Sequence, residues 1–299
     1  MPLIKHDGNK SLDIIISQGT VLSFSIYATL ILSFITTKPC QLIKTSLFLL
    51  SLLLLIAALF KLIELYALLF IVALFVSAFV HIGSQGVITK KLALLFLSGL
   101  ALAFSLHIIP GFNNELLFSS KHFGASNLPF KLYANLDKAL AGFAILIAIG
   151  QNLKWSVPLK TSYLILFTTL LFFSLCLLLG AKLDPKLGEL TLAFIFFNLL
   201  VTCIAEEAFF RLVIQNGIHN LSKGFMQGWL AVFITAVIFM LAHFHTGVGA
   251  EKRLLLIFIA GLLYGGIYLK SKSFGSAVIA HFIINIIYFS FFAFPATFN

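Results

Sequence analysis

Four stretches, 47–60, 67–80, 163–180 and 190–205, carry no charged residue and show no polar stripe at the helical or the strand period. A run that is apolar all round can be satisfied only in lipid or in the centre of a large core. Crossing the hydrocarbon as a helix takes roughly 20 mostly apolar residues. A membrane β-barrel would alternate apolar and polar positions over about ten residues, which these runs do not do. The expected fold is therefore all-α, a polytopic transmembrane helical bundle with about 8–10 membrane segments. Composition agrees: 61% of the residues are hydrophobic and 10% charged, against roughly half and a quarter in soluble domains.

The apolar segments fall near 20–37, 43–60, 62–82, 91–109, 139–152, 160–180, 190–214, 229–245, 254–270 and 276–296. The stretch 139–152 is too short to span and reads as re-entrant, or as extending into its flanks. Between 110 and 138 the chain is rich in Asn, Ser, Gly and Pro, and reads as a connecting loop with turns and a short interfacial helix.

The net charge is +10. The lysines sit in the gaps between apolar runs, as Lys38 and Lys44, Lys90 and Lys91, Lys154 and Lys160, Lys270 and Lys272. That is how membrane helices are flanked at the interface. The partner implied is the lipid bilayer, and no nucleic acid is expected. Lys and Arg divide almost evenly between the two sets of alternate loops, which leaves the orientation open. Cys40, Cys176 and Cys203 form no spaced framework and read as small core residues. The first apolar run reaches spanning length without a small-residue cleavage site, so no cleavable signal is expected.

Against this background "CIAEEAFFR" stands out: Glu206, Glu207 and Arg211 lie within one apolar segment. Ionisable groups at that depth cost several kcal/mol each and usually face the bundle interior with a function. Glu207 and Arg211 are i and i+4 in the favourable acid-first order, so they can pair. Glu206 is turned about 100° away. It is left without a local partner, which suits a general base.

The next segment ends "FMLAHFHTG", placing His243 one turn after Phe239; His245 points to a different face, and its participation stays open. The last segment carries "AHFIINIIYF", with His281 and Asn285 at i and i+4, two donors stacked on one face. His81 and His107 lie near segment ends, where interfacial placement accounts for them. A carboxylate and a histidine can activate water, and two donors can hold an oxyanion, which together suffice for peptide hydrolysis without a covalent nucleophile.

The three motifs "EEAFFR", "FMLAH" and "HFIIN", in this order on late apolar segments, resemble the CAAX-protease and bacteriocin-processing family of intramembrane endopeptidases, also called the Abi family. The resemblance covers about 190–296. It implies that Glu206 and His243 activate the water, that His281 and Asn285 form the oxyanion hole, that Glu207 and Arg211 orient the site, and that Phe239 is a packing position. The domain reading follows: 1–189 supplies transmembrane segments of unassigned role, including the loop 110–138, and 190–299 is the protease-like core. The substrate expected is a membrane-attached protein or peptide, with a prenylated CAAX protein, a sorting tail and a bacteriocin precursor equally compatible. The resemblance places the chain as an integral protein of the bacterial inner (plasma) membrane. Oligomeric state is not fixed by the sequence.

No cofactor is expected. Zinc on Glu206, His243 and His281 is the disfavoured alternative, because HExxH is absent and a carboxylate beside an arginine is a poor cation site. Two other classes compete with a protease: a transporter or channel using Glu206 and the histidines as a proton relay, and a non-catalytic membrane scaffold or immunity protein.

Overall fold

A computed structural model describes residues 16–36, 39–121, 123–126, 129–221, 227–244, 249–294 and 298, apart from the side chains of 39–44 and 227. In chain order the helices α1 (Gln18–Thr36), α2 (Pro39–Leu59), α3 (Ala67–Gly83) and α4 (Val87–Ser105) come first. A hairpin of β1 (Glu115–Ser120) and β2 (Phe130–Ala134) follows, then α5 (Leu136–Ile149) and α6 (Leu159–Leu178). The C-terminal part holds α7 (Glu189–Leu221), α8 (Gln227–Ala242), α9 (Ala250–Ser271) and α10 (Phe274–Phe291).

Six of these helices, α1, α4, α6, α7, α9 and α10, are long and apolar enough to cross a membrane, and shorter apolar stretches occupy Thr45–Leu59, Ala67–Gly83 and Gly228–Ala242. Outward-facing positions are apolar too, for example Leu69, Leu95, Leu166 and Leu178, as a lipid-facing surface requires. The all-α polytopic bundle read from the sequence is the fold observed.

Two segments are defined more closely by the structure. The short stretch at 139–152 is α5, which starts three residues earlier and is buried at every position from Ala139 to Ala148. It thus extends into its N-terminal flank, one of the two expected outcomes, and packs among α1, α3, α4 and α7. Small residues allow this: a Cβ on Gly142 would stand 2.6 Å from both Cα and Cβ of Ala205 on α7. Tyr27 of α1 adds a buried hydrogen bond, its hydroxyl donating to the Ala139 carbonyl at 3.1 Å.

The stretch 110–138 holds the antiparallel hairpin rather than an interfacial helix. Phe118 and Phe130 on its strands, with Phe123, sink into an aromatic cluster with Phe194 of α7 and Phe289 of α10. Phe194 and Phe289 stack at 3.9 Å and 5°. Burial of these rings, rather than any helical period, decides the local structure.

α7 is not a uniform helix. It carries π-helical stretches at Asn198–Cys203 and Ala208–Gln215, with a single α-helical turn, Ile204–Glu207, between them. Widened turns of this kind are rare and recur at functional sites. α10 begins at Ser273, whose hydroxyl caps the Ser276 amide at 3.1 Å.

Candidate active site

The α-helical turn of α7 buries both Glu206 and Glu207. The pair expected from the i, i+4 spacing forms: Arg211 Nε donates to Glu207 Oε2 at 2.7 Å, with both side chains fully buried. The second Glu207 oxygen, Oε1, lies 2.9 Å from His281 Nδ1 on α10. Arg211 Nη1 donates onward to Gln215 Oε1 at 2.8 Å, and Gln215 Nε2 to the Gly265 carbonyl of α9 at 3.1 Å. Gly265 is required by this approach, since a Cβ there would stand 2.7 Å from Arg211 Nη1. Both Glu207 oxygens and two of the three Arg211 nitrogens are met in this way, while the buried Arg211 Nη2 has no hydrogen-bond partner among the described residues.

Glu206 takes a partner from another helix, one the sequence reading did not name. Lys138, in the first turn of α5, donates from Nζ to Glu206 Oε1 at 2.6 Å. The physical reason is the Gly142–Ala205 contact, which brings α5 against α7 one helical turn beyond Lys138. Its neighbour Asp137 is buried and accepts from His107 Nδ1 at 2.6 Å, so His107 is a paired group rather than a merely interfacial one.

The other Glu206 oxygen, Oε2, is buried and has no hydrogen-bond partner among the described residues. It lies 3.8 Å from His243 Nε2 and 3.8 Å from His281 Nε2. Both separations exceed a hydrogen bond and leave the three atoms able to share one small polar molecule. His243 Nδ1 is 2.8 Å from the Phe239 carbonyl. A carbonyl only accepts, so Nδ1 carries the proton, and in the neutral ring Nε2 is a bare acceptor facing Glu206. By the same argument a carboxylate at His281 Nδ1 fixes that proton on the Glu207 side.

Aromatic rings hold the two imidazoles. Phe239 packs on His243 at 4.5 Å and edge-on to His281 at 5.9 Å. Tyr264 of α9 stacks on His281 at 4.5 Å and 13°. Asn285 is arranged differently: its Nδ2 reaches Asn198 Oδ1 on α7 at 3.5 Å. Asn198 Oδ1 also receives Cys203 Sγ at 3.2 Å. Cys176 and Cys203 are buried thiols that form no disulfide among the described residues. His245 lies outside the described residues. Among the described residues no group of three or more His, Cys, Asp or Glu side chains has the arrangement to hold a metal ion.

Four participants carried no sequence signal of their own: Lys138, Asn198, Gln215 and Tyr264. Lys138 reads as one more charge flanking a segment, and the other three as single polar residues inside apolar runs. The one available hint was that 139–152 could not span, so charges at its edge need not face the headgroups.

The fold and site define a polytopic helical membrane protein that brings two carboxylates, two imidazoles and a guanidinium together among its C-terminal helices. Residues 188–287 match the family model described as Rce1-like, type II CAAX prenyl endopeptidase Rce1-like. The matched stretch contains Glu206, Glu207, Arg211, Phe239, His243, His281 and Asn285, and its similarity is to a family of CAAX proteases. Lys138 and the hairpin lie outside it. No curated protein and no solved structure matches the chain.

Proposed function

We propose that the protein is a glutamate-type intramembrane endopeptidase, in which Glu206 and His243 activate a water that hydrolyses a peptide bond of a membrane-attached protein or peptide. The observation that carries the reading is the convergence on Glu206 Oε2, a buried, unpartnered carboxylate oxygen facing two imidazole Nε2 atoms at 3.8 Å each.

In this scheme a water held by Glu206 Oε2 and His243 Nε2 gives up a proton to one of them as its oxygen bonds to the scissile carbonyl carbon. The carbonyl π pair moves onto oxygen. Asn285, through the amide hydrogen not directed at Asn198, and His281, when its ring carries both protons, stabilise that oxyanion. Collapse breaks the C–N bond, and the proton taken from water is returned to the leaving amine. Glu207 and Arg211 keep His281 in register, and Phe239 orients His243 through its carbonyl and ring. Lys138 holds Glu206 Oε1 and so turns Oε2 toward the histidines. The scheme uses no metal, and a cation at Glu206 would compete with the ammonium already there. Hydrolysis is expected to survive excess chelator.

The setting proposed is the bacterial inner membrane. The test compares cells carrying wild type, Glu206→Gln and His243→Ala for uncleaved membrane proteins. Precursors that accumulate in both variants support the reading, and normal processing in both rejects it.

A further inference from the structure

Among the described residues β2 pairs along one edge, with β1, in the register Glu115 with Ala134 through Ser120 with Phe130. Residues of β2 and of α7 together line a cavity of about 120 Å³. Lys131, Leu132 and Tyr133 all line that cavity. Successive side chains of a strand point to opposite faces, so a cavity lined by three consecutive residues runs along the strand rather than over one face of it.

The facing wall is the first part of α7, and it leads to the site. Asn198 lines the cavity and is the residue that Asn285 Nδ2 reaches. Thr202, also lining, is four residues before Glu206. At the strand end, β2 runs through Asn135 into the turn of α5 that carries Lys138, bonded to Glu206. The hairpin is also fixed in place. A two-stranded hairpin is marginal by itself, but Phe123 and Phe130 pack on Phe289 at 5.7 and 5.8 Å. Asp184 Oδ2 accepts from the Ala125 amide at 2.8 Å. Lys186 bonds Asp184 and the Phe292 carbonyl beneath the Phe123 ring. Burial pulls its ammonium pKa down, opposed by the hydrogen bond and charge of Asp184.

We propose that this cleft is the substrate-docking subsite. An extended peptide adds as a third strand to the free edge of β2, places one side chain in the cavity, and presents the neighbouring peptide bond to Glu206. The proposal rests on the endopeptidase reading and specifies its substrate as an unfolded segment next to the cut. A helix about 10–12 Å across does not fit a cavity of this volume, whereas one side chain of an extended segment does. Strand addition supplies affinity through the backbone and selectivity through the single pocketed side chain.

The test uses the purified full-length protein in detergent and a pool of fluorescein-labelled random decapeptides. A photo-crosslinking benzoylphenylalanine replaces Tyr133, or Tyr163 on the exposed face of α6 as control, in the Glu206→Gln background so that nothing is consumed. The expected result is labelling at position 133 and not at 163, lost when Thr202→Trp fills the cleft. Val201→Phe, which adds bulk at another lining position, is the second blocking variant should the Trp variant fail to fold. Equal labelling at both positions, labelling that survives the blocking variants, or no labelling overturns the subsite. Cleavage of the same pool by wild type, abolished by Glu206→Gln, judges the endopeptidase reading separately.

Discussion

Lys138 and Glu206 stand 68 residues apart in sequence and 2.6 Å apart in space, joining the short buried helix α5 to the turn of α7 that carries both glutamates. The pair leaves Glu206 with one oxygen committed to an ammonium and one facing the histidines. Orientation of a base, rather than a bare supply of charge, is what such an arrangement provides.

Replacing Lys138 should therefore damage hydrolysis without removing any group that touches the scissile bond. Lys138→Met is expected to lower kcat by roughly tenfold to a hundredfold, less than the 10²–10⁴-fold that an acid–base group itself contributes. Lys138→Arg should restore part of the loss. Steady-state cleavage of a precursor accumulating in the Glu206→Gln strain measures it, and wild-type rates for Lys138→Met would show that the ion pair has no part in orienting the base.

How much of this was readable from the chain can be judged on α5 and α7. The apolar runs specified a helical membrane bundle because lipid admits little else, and the Glu207–Arg211 pair followed from helical spacing alone. Partners of Glu206 could not follow, because Lys138 arrives from another helix and its approach depends on the missing Cβ of Gly142. Periodicity also failed at the hairpin, where Phe118 and Phe130 are held by rings from α7 and α10 that local pattern does not reveal. Nor does any local signal announce π turns, which flank the turn of α7 that carries both glutamates.

The buried Glu207–Arg211 pair should behave as a coupled unit. Glu207→Gln or Arg211→Met alone leaves one buried charge uncompensated, a change worth roughly 3–5 kcal/mol of destabilisation. The double variant should cost less than the sum of the two, because it removes both charges together. Unfolding in detergent, followed for all four proteins, gives the cycle, and strictly additive losses would mean that the two side chains do not stabilise each other.

Gly142 should be intolerant for a steric reason that a second change can relieve. A methyl group at 142 meets both Cα and Cβ of Ala205 at 2.6 Å, so Gly142→Ala must part α5 from α7. The expected cost is about 1–3 kcal/mol, in the range of overpacked cores, with a fall in activity as Lys138 withdraws. Ala205→Gly in the same background removes one of the two colliding atoms and should recover a measurable part of both stability and rate. An unchanged melting temperature for Gly142→Ala would disprove the close packing.

Asn285 offers the sharpest separation between structural and catalytic roles on α10. Its Nδ2 is spent only in part on Asn198, at 3.5 Å, and an amide nitrogen has a second hydrogen to give. If that hydrogen meets the developing oxyanion, Asn285→Ala should lower kcat by about 10²–10³-fold with little change in KM. Asn285→Asp is the stronger probe: nearly the same size, it cannot donate when ionised and sets a negative charge against the oxyanion, so its loss should exceed that of alanine. Asn198→Ala removes only the acceptor that steadies the amide and should cost much less than either. Equal losses in all three variants would instead assign Asn285 to holding α10 against α7.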